Sequence, residues 1–321
     1  MLQTLRSLTL AAACLLVACK KEKRMESPEE QEVVTVTPAP VPTIPPSRPL
    51  LLTEISGDFN SGYPMKFFYN GNRLTGFKPP FLRAPEFFVY YLADQRPGYV
   101  AVSYYDVYIT KLTAAIFRYN AAGDVCKVYY KKVTTGKTLE DTSYFNSITD
   151  GQLQSEYDSL SYTAGHHIEA IYTIRDNAVW NYVRFRYNTP QDSIPFKLDK
   201  FEKVADRHYS LYDQLQLTTN QVRSPYHAMW FLAYINKLTS DVGGGGLLLP
   251  YLMDGPSTYL TYYLPFIKNC IVGYQVSNNW GSYNYKNSVF QYTFNTDSTL
   301  LTVTKQGDPF SKVQLHLKPG V

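Results

Sequence analysis

The chain contains no Gly-x-Ser-x-Gly elbow and no His-Glu-x-x-His helix. The strained serine nucleophile and the paired zinc-binding histidines of the commonest readable hydrolases are therefore both missing. Its glycine run, Gly243-Gly244-Gly245-Gly246, lacks the Gly-Lys-Ser/Thr ending of a phosphate-binding loop and reads as a linker that implies no nucleotide. A large charge of one sign is also absent: 31 Lys and Arg stand against 27 Asp and Glu, a net +4 dispersed along the chain. That excludes the basic footprint of a nucleic-acid partner. Cysteine is scarce, with four in 321 residues, so neither a disulfide scaffold nor a thiolate metal site is spelled out.

The cysteines that are present carry the address. Arg6 supplies a positive start, Leu8 to Val17 an apolar stretch, and Leu16-Val17-Ala18-Cys19 closes it. This is the order of parts in a lipoprotein signal peptide, and the stretch falls short of the ~20 apolar residues that a membrane span needs. Residues 1–18 are expected to be removed and Cys19 to be lipidated, so that the partner at this end is the membrane itself, through acyl chains whose burial contributes about 0.8 kcal/mol per CH₂. Lys20 after the cysteine, where an inner-membrane lipoprotein generally has Asp, implies the outer membrane, on its periplasmic or cell-surface face. Residues 19–52 continue as a tether, charged at first and then rich in proline from Pro38 to Pro49. Proline at this density favours an extended, semi-rigid spacer.

Residues 53–321 are expected to form a single β-rich domain. Val183, Phe185 and Tyr187 share one face of a strand and Arg184 and Arg186 the other, which is the period-2 pattern of a half-buried strand. Val313, Leu315 and Leu317 alternate with Lys312, Gln314, His316 and Lys318 in the same way. Several strands end in aromatic-Asn followed by Gly or Asp and a second apolar strand: Tyr69-Asn70-Gly71-Asn72, Tyr119-Asn120 to Asp124, and Tyr292 to Leu300. Asn and Gly tolerate the left-handed backbone of a tight turn, so these read as hairpins. The fold class is mainly β: a large antiparallel sheet, sandwich or half-barrel of repeated hairpins. One or two short helices are expected near 225–238, opened by Ser224 as N-cap and Pro225.

These hairpins resemble those of secreted Bacteroidetes lipoproteins of unknown function with YD/Rhs-like β-hairpin repeats. The likeness extends from about residue 53 to 310 and includes Ser224-Pro225-Tyr226, Met229 to Leu238, Lys268-Asn269 and Tyr292 to Val303, with Asn in place of the usual Asp in the turns and Cys270 as a further departure. It implies a fold without an activity.

No catalytic residue, metal site or cofactor is indicated. His166-His167 would point to opposite faces of a strand and reads as an exposed turn after Gly165. Asp106, Glu140, Asp141, Glu169 and Asp297 offer carboxylates for a glycosidase pair only if folding brings two together. Cys126 and Cys270 are a possible disulfide that would contribute about 4–5 kcal/mol by loop closure, or two buried thiols. Three functions fit: a binding module for a glycan or envelope protein, supported by 29 tyrosines that combine a broad ring with a hydroxyl; an envelope glycoside-active enzyme; or a structural envelope component.

Overall fold

The structure is a computed structural model. It describes residues 50–57, 64–78, 86–106, 109–133, 137–152, 156–205, 208–239, 259–278, 288–294, 300–306 and 312–319, all within one compact unit, Pro42–Val321. The expected lipidation site Cys19, the Gly243–Gly246 run and Asp297 lie outside the described residues.

Sixteen strands form one antiparallel sheet. The first half holds β1 (Leu50–Gly57), β2 (Met65–Asn70), β3 (Arg73–Lys78), β4 (Glu86–Tyr91), β5 (Pro97–Asp106), β6 (Ile109–Tyr119), β7 (Val125–Val133) and β8 (Glu156–Tyr162). The second holds β9 (Ile168–Arg175), β10 (Ala178–Arg186), β11 (Lys197–Ala205), β12 (His208–Arg223), β13 (Asn269–Asn278), β14 (Ser288–Phe294), β15 (Leu300–Lys305) and β16 (Lys312–Pro319). Each strand pairs with its neighbour in sequence, and β1 pairs with β16, so the break in the ladder falls between β3 and β4. Across that seam the Phe77 and Phe87 rings stack with centroids 3.9 Å apart. A Cβ on Gly76 would lie 2.6 Å from the Phe87 carbonyl oxygen, so only glycine allows β3 to come this close. The sheet is a nearly closed barrel.

Turn chemistry sets the hairpins. Asp176 and Asn177 join β9 to β10 with φ of 49° and 62°, the double left-handed conformation of a tight hairpin turn. Gly71 at φ 59° does the same work in the β2–β3 turn. In the β6–β7 turn, the Asp124 amide donates to Asn120 Oδ1 at 2.9 Å.

Alternation sends apolar side chains inward. On β16, Val313, Leu315 and Leu317 are buried while Lys312 and Lys318 are exposed, as the sequence pattern predicts. Outward positions on the neighbouring strands are Gln214, Gln216 and Thr218 on β12, Gln291 and Thr293 on β14, and Thr302 and Thr304 on β15. A membrane-spanning barrel has the reverse arrangement, an apolar band outside and a polar interior. On these strands the outward positions are polar instead.

The described parts of the connection between β12 and β13, residues 224–239 and 259–268, pack inside the sheet. The connection opens with a 3-10 turn, His227–Met229, continues as helix α2, Leu232–Thr239, and returns through a 3-10 helix, Tyr259–Phe266. Phe231, Leu232, Tyr234 and Ile235, with Leu260 and Leu264, pack in one cluster with inward residues from the strands. Ser224 does not cap α2 directly; its hydroxyl accepts from the Tyr226 amide at 3.3 Å, and the helix begins eight residues later.

One polar contact ties this plug to the wall. Asp158 on β8 is fully buried and accepts from Lys237 Nζ of α2 at 2.8 and 3.0 Å. It also accepts from the Tyr130 hydroxyl at 2.6 Å and the Thr173 hydroxyl at 2.9 Å.

Outside, helix α1 (Thr142–Ser147) is capped by Asp141, whose side chain accepts from the Tyr144 amide. With Ile148 it covers Tyr99, Ala101, Leu112, Ala114 and Ile116 on β5 and β6, the larger aliphatic side chains Leu112 and Ile116 each contributing about 1.5–3 kcal/mol. Further round the wall, Tyr172, Tyr182 and Phe201 form a half-buried outward ladder on β9 to β11, with Tyr182 stacked on Phe201 at 4.6 Å.

Candidate functional site

Tyrosine marks one end of the barrel. Even-numbered strands run toward this rim, and near the end of five of them a tyrosine turns inward and its hydroxyl donates to a backbone carbonyl of the preceding strand. The pairs are Tyr69 to Leu52 at 2.7 Å, Tyr119 to Pro97 at 2.7 Å and Tyr162 to Val125 at 2.9 Å. Tyr187 to Ile168 at 2.8 Å and Tyr292 to Ile271 at 2.6 Å complete the series. Tyr91 on β4 reaches Leu74 of β3 across the seam; Arg73 and the Leu74 backbone lower its hydroxyl's pKa, but burial outweighs both and pushes it up to about 12. Burial raises the Tyr119, Tyr162 and Tyr187 hydroxyls as well, so all remain protonated donors.

The partner strands carry a matching irregularity. Register shifts at Phe68/Tyr69, Tyr90/Tyr91, Arg118/Tyr119 and Ser161/Tyr162 leave Thr75, Gly98, Cys126 and Glu169 as the extra residue of a β-bulge. A bulge sharpens the local twist and bends the strand. The hairpin repeat read from Tyr-Asn is thus a structural unit of rim tyrosine, turn and bulge.

Between the rim tyrosines and the plug lies a cavity of about 570 Å³, within the usual range for small-molecule sites. The wall side contributes Tyr119, Tyr187 and Phe185, the plug side His227, Trp230 and Phe266. The Trp230 and Phe266 rings stack at 5.9 Å. Among the described residues, five basic or histidine side chains, Arg96, Arg223, Lys268, His166 and His167, also line it, against a single carboxylate, Asp124.

Two of these charges are matched locally. Arg96 lies over the Tyr119 ring at 4.2 Å and donates from Nε to Asp94 at 2.8 Å. His166 Nδ1 is 2.9 Å from Asp124 Oδ2. Arg223 and Lys268 have no carboxylate partner among the described residues. Burial, followed by the nearby Arg223, holds the His227 imidazole below its ordinary range, with a weaker push from Lys268 and a hydrogen bond to the Phe266 backbone acting in the opposite sense. His227 Nδ1 is buried without a hydrogen-bond partner.

The residues singled out in the sequence scatter, with one exception. His166 and His167 do sit in a turn, His166 exposed, and both line the cavity. Asp141 caps α1 and pairs with Lys137 at 3.1 Å, Glu140 lies in the turn before it, Asp106 ends β5 and Glu169 is an exposed bulge residue of β9. Cys126 on β7 and Cys270 on β13 are both free thiols with five strands between them. The bridge that an envelope compartment would permit is not formed. Among the described residues, no group of three or more His, Cys, Asp or Glu is placed to hold a metal ion.

Sequence reading missed Arg223, His227, Trp230 and Lys268. The available signal was the Lys268-Asn269 and Ser224-Pro225-Tyr226 segments that flank the plug; pairing of Arg223 with Asn269 brings them together.

No family model and no curated protein matches the chain. Among solved structures, the chain is similar to a porin-like protein from Bacteroides uniformis, with 12% identity over 88% of this chain and 99% of that one and a TM-score of 0.39. It is also similar to a porin-like protein from Bacteroides vulgatus, with 10% identity over 84% of this chain and 98% of that one and a TM-score of 0.41.

Proposed function

We propose that this protein is an envelope lipoprotein, held to the outer membrane through Cys19, whose barrel is a non-catalytic recognition module for a glycan or an envelope protein and takes its ligand at the tyrosine rim. The observation that carries the reading is the rim cavity, with aromatic and basic side chains on its walls and Asp124 as the lone carboxylate among the described residues that line it. Glycoside hydrolysis needs two carboxyl groups flanking one bond, and the described residues of this lining supply one, already engaged by His166. Aromatic walls with a few oriented polar groups suit binding instead. The polar outward positions on β12, β14 and β15 support a body suspended from the membrane by its tether rather than inserted in it.

Two measurements test this reading. Cys19→Ala is expected to abolish acylation and release the protein from salt-washed membranes; a mutant that still partitions with membranes removes the anchor from the proposal. Glycan-array and pull-down experiments with the purified full-length chain are expected to return ligands whose capture is lost in Trp230→Ala. Reproducible turnover of a polysaccharide, abolished by replacing one carboxylate, would establish an enzyme instead.

A further inference from the structure

We infer that the rim cavity selects an acidic sugar residue, with Arg223 and Lys268 taking its anionic group and the aromatic wall of Trp230, Tyr119 and Tyr187 taking its ring. The inference rests on the recognition-module reading and adds the charge and class of the ligand.

Charge is the first ground. Asp94 answers Arg96, and Asp124 answers His166, which leaves Arg223 and Lys268 as two lining cations with no carboxylate opposite them among the described residues. Both are exposed, yet they stand close enough to His227 to disfavour its protonation. Two like charges gathered at one mouth repel each other, and an anion is the group that relieves this. Guanidinium and ammonium groups both recognise carboxylate and sulfate oxygens through charge-assisted hydrogen bonds.

The second ground is the shape and chemistry of the rest of the lining. Trp230 is backed by Phe266 in a stacked pair and braced edge-on by Phe117 at 5.0 Å, a rigid platform of the kind that packs on the apolar face of a sugar ring. His227 lines the same wall, with its Nδ1 buried and without a hydrogen-bond partner. A buried polar atom without a partner is uncommon and calls for one. A simple inorganic anion would use the cations and leave the platform idle.

The test uses the purified full-length chain in detergent, titrated calorimetrically with a trigalacturonate, its neutral galactan counterpart and a sulfated galactan oligosaccharide. Binding of one or both acidic oligosaccharides, about tenfold or more tighter than the neutral one and weakened about tenfold by Arg223→Ala/Lys268→Ala, is the expected result. Whether carboxylate or sulfate binds better identifies the anion. Because the two cations lie at the surface, the double variant is expected to keep its thermal unfolding midpoint; should it not fold, a fall in wild-type affinity with added salt reads out the same charge contribution. Neutral and acidic oligosaccharides binding equally, with Trp230→Ala abolishing both and the double variant binding as wild type, would overturn the acidic-sugar inference and leave the recognition module standing. Binding of inorganic sulfate as tight as that of the sulfated oligosaccharide would also overturn it. Failure of every oligosaccharide and of every array glycan would overturn both readings for glycans.

Discussion

Lys237 Nζ lies 2.8 Å from Asp158 Oδ1, and this ion pair spans the boundary between the inserted helix and the sheet that surrounds it. Lys237→Met is expected to lower the unfolding free energy by about 3 kcal/mol or more, because it leaves a fully buried carboxylate without its cation. Asp158→Asn combined with Lys237→Met should cost less than the sum of the two single changes, since the second removes a charge that the first has stranded. Urea unfolding of the four proteins measures the cycle, and strict additivity would show that the pair is not coupled.

The five rim hydroxyls make the same bond, so they are expected to respond alike. Tyr162→Phe and Tyr187→Phe should each destabilise by about 1 kcal/mol, the net worth of one buried hydrogen bond. A pair on distant strands, Tyr69→Phe with Tyr187→Phe, should add. A much larger loss from one member would mark that tyrosine as serving something besides the barrel.

His227 predicts a pH dependence. Its folded-state pKa lies below the ordinary value of 6.5, so between the two values the unfolded chain binds a proton that the native chain refuses. Stability therefore falls as pH drops through that window and is unaffected by this group above it. Unfolding free energies at about pH 7.5 and about pH 5.5 should differ more for the wild type than for His227→Gln; an equal difference would mean that the imidazole does not contribute.

How much of this was legible beforehand depended on whether the information was local. The β16 strand and its two faces follow from alternation at Val313, Leu315 and Leu317, and the turns follow from Asn-Gly and Asn-to-Asp spacing. The plug did not: an apolar run such as Tyr259–Phe266 suits a buried strand as well as a helix, and nothing in it says that it lies inside a barrel. Likewise Tyr187 read as one more residue on the apolar face of its strand, because its hydroxyl partner, Ile168, belongs to another strand. The cavity was hidden for the same reason. Arg223 and Lys268 are distant in sequence and become neighbours only when β12 pairs with β13, and the six-residue α1 is too short to raise a helical period.

The two cysteines separate by environment. Burial pushes the Cys270 thiol up to about 12, so almost none is thiolate near neutrality, while Cys126 is partly exposed. Iodoacetamide at about pH 8 is expected to alkylate Cys126 and spare Cys270 in the native protein, with both modified after denaturation. Peptide mass spectrometry reads the result; a Cys126–Cys270 linked peptide would contradict the separation of their strands.

The position of β1 has a mechanical consequence. The strand nearest the N-terminal end of the barrel is an interior member of the sheet, paired with β16 from Leu50 to Gly57 on one side and with β2 at Glu54 and Ile55 on the other. A pull delivered through the preceding residues is therefore resisted by two ladders loaded in shear, many hydrogen bonds at once, rather than by an edge strand that peels one bond at a time. The discontinuity in the ladder sits at β3 and β4, away from the point where the load enters.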